Sequence, residues 1–119
     1  MVVSINISLS DIVYLKIISG GFNMKITIDE QSVQWYKEEL ELEPGDCLRF
    51  FPRYGGYSPI QSGFSLGINK EAEKQAAVSE KRDGITYFIN EEDVWYFDGH
   101  DLHITYNEQK AEPVFSYSK

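Results

Sequence analysis

The sequence predicts an α+β fold, rich in antiparallel β-structure and carrying two small helices. Three observations carry that expectation. Short apolar–polar alternations recur along the chain, as where Phe64, Leu66 and Ile68 flank Ser65 and Gly67. The pair Asp83-Gly84 lies between two β-prone runs and marks a tight hairpin. Asp29 and Asn90 each precede acidic residues in the way a capping side chain precedes a helical first turn.

Taken in order, residues 24–28 alternate and read as a strand. Asp29 then caps a helix whose apolar face carries Val33, Tyr36 and Leu40, and Pro44-Gly45 should end it. Its outer face is acidic, with Glu38, Glu39, Glu41 and Glu43 forming a solvated surface. Residues 47–54 are β-formers, and Pro52 argues for an edge strand or a bulge. Gly55-Gly56 breaks that run before the strand of Phe64, Leu66 and Ile68. Residues 69–76 read as a polar connection or a single turn. Residues 77–80 and 85–89 form the hairpin, a short helix follows Asn90 through Phe97, and Asp98-Gly99 turns the chain again. Leu102, Ile104 and Tyr106 alternate, and residues 113–117 supply a last strand.

The chain has 119 residues and no internal repeat or linker, so one domain over 24–119 is expected. Residues 1–23 differ from the rest, holding one Lys and one Asp of the whole charge complement. They lack the basic start and the cleavage site of a secretory signal. Ser19-Gly20-Gly21 can be encoded by AGT GGA GGA, a ribosome-binding purine run, so the expected native start is Met24 and the leader is read as non-native.

With 11 basic and 19 acidic groups the net charge is −8. That field repels phosphate backbones and anionic lipid, which argues against nucleic acid and membrane as partners and for a protein partner. Cys47 is the single cysteine, so it can form neither an internal disulfide nor a thiolate metal site, and it reads as a small buried hydrophobe in a cytoplasmic protein. A homo-oligomer is compatible with the composition. Asp98, His100, Asp101 and His103 cluster, but a step of three in an extended strand sends the two imidazoles to opposite faces. Ser58 lacks the closing glycine of a nucleophile elbow, and nothing else supports catalysis.

Two segments carry a resemblance. One runs Cys47-Leu48-Arg49-Phe50-Phe51-Pro52-Arg53-Tyr54-Gly55-Gly56-Tyr57-Ser58-Pro59, and the other is Phe97-Asp98-Gly99 leading into the strand of Leu102. In order and spacing they resemble the HesB/IscA group of A-type iron–sulfur assembly proteins, and most of all its cysteine-poor HesB-like branch in Gram-positive bacteria. The resemblance implies an antiparallel sandwich or pseudo-barrel. It also implies a lost cluster site: the family's loop cysteine falls on Tyr57, its serine on Ser58 and its next glycine on Pro59, and the paired tail cysteines have no counterpart. A phenol is a poor substitute for thiolate on a cluster. No cofactor is therefore expected.

The function expected on this footing is a non-enzymatic accessory protein linked to iron–sulfur or iron metabolism and acting through a partner. The alternative is a small-anion module, in which Arg49 and Arg53 share a strand face beside the amides of the Gly55–Ser58 loop. Both readings place the binding surface on Arg49, Arg53, Gly55, Gly56, Tyr57 and Ser58.

Overall fold

The structure, a computed structural model, describes residues 23–119, so the expected leader lies almost entirely outside the described residues. Strand β1 (Ile26–Ile28) leads into helix α1 (Glu30–Glu39), followed by β2 (Cys47–Tyr54), β3 (Phe64–Lys70), β4 (Ala76–Arg82) and β5 (Ile85–Asn90). A 3₁₀ helix (Glu91–Phe97) precedes β6 (Asp101–Asn107) and β7 (Glu112–Ser118).

The α+β expectation holds, but the sheets are mixed. One has three strands in the order β1-β6-β7, the other four in the order β3-β2-β5-β4. β1 runs parallel to β6, and β2 runs parallel to β5, because each pair is joined through intervening elements and not by a hairpin. The sheets do not close into a barrel. One seam between them is a cleft of about 470 Å³ lined by β1 and β4, the other a cleft of about 490 Å³ lined by β3, β7 and α1.

α1 forms as its cap predicts. Asp29 accepts from the Ser32 amide at 2.9 Å through Oδ1 and from the Tyr106 amide at 2.9 Å through Oδ2, so one carboxylate both caps the helix and ties it to β6. The helix stops at Leu40, earlier than Pro44-Gly45, because Glu41 turns to φ +52. Asn90 takes the cap position of the 3₁₀ helix but makes no side-chain cap bond, and three acidic residues in the first turn favour that end electrostatically. Asp83 (φ 54) and Gly84 (φ 80) form the expected tight turn between β4 and β5.

Pro52 proves to be in a central strand. It is tolerated there because β2 pairs with β5 only over Cys47–Arg49, so no ladder bond is asked of residue 52 on that side. Leu48 and Phe50 point inward with Val33, Tyr36, Ile85, Tyr87, Ile89, Leu102 and Ile104, all buried. Phe50 meets Phe115 edge-on at 5.9 Å and stacks on Tyr87 at 6.4 Å, which joins the two sheets through aromatic contact. Burial pushes the Tyr87 phenol up to about 12, with Asp83 adding to the effect.

Candidate functional site

The loop after β2 is closed by its own backbone, Gly55 donating to the Gly63 carbonyl at 2.7 Å. Gly56 has φ +76, and a Cβ there would lie 2.7 Å from Ser65 Oγ, so both conformation and space demand glycine. Within the loop, two neighbouring residues face opposite ways. Ser58 turns in, 8% exposed, where its Oγ accepts from the Ile60 amide at 3.3 Å. Tyr57 turns out and is 82% exposed.

Around the loop's root stand the other exposed large apolar side chains among the described residues. Tyr54 is 91% and Trp95 50% exposed. Phe64 lies between them, its ring centroid 5.5 Å from Tyr54 and 5.3 Å from Trp95, both edge-on. Gln61 Nε2 reaches the Trp95 carbonyl at 3.5 Å, which holds the loop beside the 3₁₀ helix. Beneath the loop, burial raises the Tyr117 phenol above its ordinary value, with Tyr96 adding to it and Ser58 opposing. The result is an aromatic end of the molecule built from β2, β3, the loop and the 3₁₀ helix.

Arg49 and Arg53 do share the outer face of β2, yet they do different things. Arg49 is enclosed by carboxylates: Asp93 Oδ2 at 2.8 Å, Glu92 Oε2 at 3.3 Å and Glu71 Oε1 at 3.4 Å, while its guanidinium also lies 5.2 Å from the Phe51 ring centroid. Burial opposes its charge, but Asp93 and Glu71 hold its pKa above the ordinary value. Burial raises Asp93 against the pull of Arg49, and Glu92 and Glu71 add to the rise with like charge. A guanidinium so occupied has no fork left for an incoming anion. Arg53 lays its alkyl stem over Gly67, where a Cβ would meet Arg53 Cδ at 2.3 Å, and its exposed head makes no ion pair among the described residues.

The donors do not suit an iron–sulfur cluster. Tyr57 offers an exposed phenol, Ser58 is turned inward, and Cys47 begins the strand that Tyr54 ends, roughly 23 Å away along β2. Cys47 is half-buried on the outer face, not the core residue expected, because it alternates with Leu48 and Phe50. Among the described residues no group of three His, Cys, Asp or Glu side chains is placed to hold a metal ion. His100 Nδ1 is 2.8 Å from the Phe97 carbonyl, a contact within the turn. His103 bridges three strands, from Thr27 Oγ1 at 2.7 Å to Ser118 Oγ at 2.6 Å. Among the described residues no helix is long and apolar enough to cross a membrane.

The chain is 57% identical over 94 residues to a Bacillus subtilis protein named pyruvate dehydrogenase inhibitor, a match spanning 79% of this chain and 99% of that one. The chain belongs to that protein's family. Uncharacterized proteins of Staphylococcus saprophyticus (40% identical, 71% of this chain and 90% of the relative) and Staphylococcus aureus strain MRSA252 (37%, 81% and 99%) match as well. No protein-family profile matches.

These relatives overturn the expected link to iron–sulfur or iron metabolism, since the one with a functional name is named for an enzyme inhibitor. The small-anion alternative loses Arg49, which three carboxylates hold. Of the six residues singled out from sequence, Gly55, Gly56, Tyr57 and Ser58 form one loop, Arg53 lies beside it, and Arg49 belongs to an internal ion cluster. Sequence reasoning missed Tyr54, Phe64 and Trp95. Register pairs Tyr54 with Phe64, but nothing in linear order brings Trp95 to them.

Proposed function

We propose that this chain is a non-catalytic inhibitor of pyruvate dehydrogenase that docks on the enzyme through the aromatic end formed by Tyr54, Tyr57, Phe64 and Trp95. The target is taken from the named relative at 57% identity. The single observation that supports the mode of action is the exposure of three large aromatics at one end, Tyr54, Tyr57 and Trp95. Tyrosine and tryptophan are the residues most enriched where protein interfaces concentrate their binding energy. The Tyr54 and Trp95 rings meet Phe64 edge-on, so these two lose little side-chain freedom on docking.

A cytoplasmic location belongs to the same proposal. So does the HesB-like type of the fold, supported by the order of elements and by the loop at residues 55–63, where that family carries its ligand loop. The test is direct: titrate the purified chain into pyruvate dehydrogenase and follow activity together with co-sedimentation. Dose-dependent loss of activity with formation of a complex is expected. Full activity at saturating ratio, with no complex, would falsify the reading.

A further inference from the structure

Among the described residues the two sheets leave four strand edges, and three of them are blunted. β1 has three residues. β4 breaks register between Ala76 and Val78 and ends in Glu80-Lys81-Arg82. β7 carries Pro113 near its start. β3 has none of these protections: it runs seven residues as Phe-Ser-Leu-Gly-Ile-Asn-Lys, without proline or register shift and without charge before Lys70. Such edges pair with other chains unless something prevents it.

The backbone shows which groups the edge offers. Gly55 donates to Gly63, and Glu71 donates to Cys47 at 3.2 Å, so the hydrogen-bonded pairs with β2 fall on Ser65, Gly67 and Asn69. Alternation then turns the amides of Leu66, Ile68 and Lys70 away from β2, and among the described residues no protein group meets them. The Leu66 and Ile68 side chains pack on the core, so the edge is held in place. It borders the cleft of about 490 Å³ that separates β3 from β7.

We propose that the open edge of β3 takes up an extended segment of a partner protein, one that alternates apolar and basic residues, and so adds a fifth strand to the four-stranded sheet. This rests on the reading that the chain acts through a protein partner. Charge selects the occupant. Arg53 and Glu112 balance within the cleft, so the field there is set by the whole chain at −8, which repels a second copy and draws a basic segment. Backbone pairing with β3 supplies affinity, and alternate apolar side chains fill the cleft toward Trp35 and Phe115. Phe64 both opens β3 and joins the exposed rings, so the added strand leads onto the aromatic end.

Residue-resolved amide exchange tests this with two synthetic peptides, one alternating valine and lysine, the other valine and glutamate. The lysine peptide should slow exchange at Leu66, Ile68 and Lys70 by about tenfold or more, leaving the already paired amides of Ser65, Gly67 and Asn69 unchanged. No protection on β3, or equal protection by both peptides, overturns the proposal. Protection of the same amides that grows with protein concentration alone assigns the edge to a second copy and overturns it too. In a second arm, Ile68→Pro removes one outward amide and should inhibit pyruvate dehydrogenase about tenfold less well than Ile68→Ala. Equal potency of the two variants overturns the edge proposal while the inhibitor reading stands. If the unaltered chain fails to inhibit, the inhibitor reading falls and peptide exchange alone decides the edge.

Discussion

Arg49 gives two hydrogen bonds to one oxygen of Asp93, from Nη2 at 2.8 Å and Nε at 3.2 Å, across the join between β2 and the 3₁₀ helix. Both side chains are largely out of water, at 18% and 7% exposure. An ion pair of this kind is costly to break from one side, because the surviving charge is left buried.

Arg49→Ala should therefore destabilise the fold by about 3 kcal/mol or more, with Asp93 left beside Glu71 and Glu92. Arg49→Ala combined with Asp93→Ala should cost less than the sum of the two single changes. Urea unfolding of the four proteins measures the coupling. Additive losses would show that the pair contributes nothing beyond its separate parts.

The acid limb of stability should run through Asp29. Burial works against its carboxylate, but the adjoining Ser32 side chain, the bonds from the Tyr106 and Ser32 amides, and Arg82 nearby hold its pKa below the ordinary 3.8. The folded value being depressed, the stability it confers is fully present above 3.8 and is lost as pH falls through the folded pKa. Asp46 is shifted the same way, chiefly by the Glu43 amide, whereas Asp93 is raised and gains stability as pH falls through its folded pKa. Asp29→Asn should flatten the decline below 3.8 in unfolding experiments run from neutral to strongly acid pH. Parallel curves for the variant and the parent would remove Asp29 from that role.

Much of this architecture is legible in the sequence because its causes are local. Asp29 followed by Glu30 shows the helix start, Asp83-Gly84 shows the hairpin, and the alternation of Phe64, Leu66 and Ile68 shows β3. What is not legible depends on partners distant in sequence. The parallel pairings of β1 with β6 and β2 with β5 are set by which strands share the core, not by any residue within them. The same holds for Arg49, whose fate was decided by Glu71, Glu92 and Asp93, 22 to 44 positions away. Tyr57 and Ser58 are singled out by the resemblance of their loop to a family's ligand loop, but only the folded loop shows that one points out and the other in.

Tyr57→Ala and Trp95→Ala should separate binding from folding. Tyr57 is 82% exposed, and its removal should change stability by no more than about 0.5 kcal/mol. Trp95 is half-exposed and packs on Phe64, so its loss should cost more, about 1 kcal/mol. Both should weaken inhibition of pyruvate dehydrogenase, Trp95→Ala the more strongly. Thermal melts and inhibition curves on the same preparations test it. A Tyr57→Ala protein that inhibits at full strength would take the loop out of the interface.

Gly56→Ala should damage the loop for two separable reasons. The backbone sits at φ +76, which an L side chain reaches only with strain, on the order of 1 kcal/mol. The new methyl would also lie 2.7 Å from Ser65 Oγ and 2.8 Å from its Cβ, a contact that cannot be relieved by rotating a single-carbon side chain. Ser65 is paired with Arg53 in the β2–β3 ladder, so the strand cannot simply step aside. Ser65→Gly added to Gly56→Ala removes the contact and leaves the dihedral strain. The double variant should therefore recover part of the stability lost by Gly56→Ala, measured against Ser65→Gly alone. Full recovery would mean the dihedral is unimportant, and no recovery would mean the contact is. Partial recovery, with inhibition of pyruvate dehydrogenase returning in step, is the outcome expected if the loop must hold this one shape to present Tyr57.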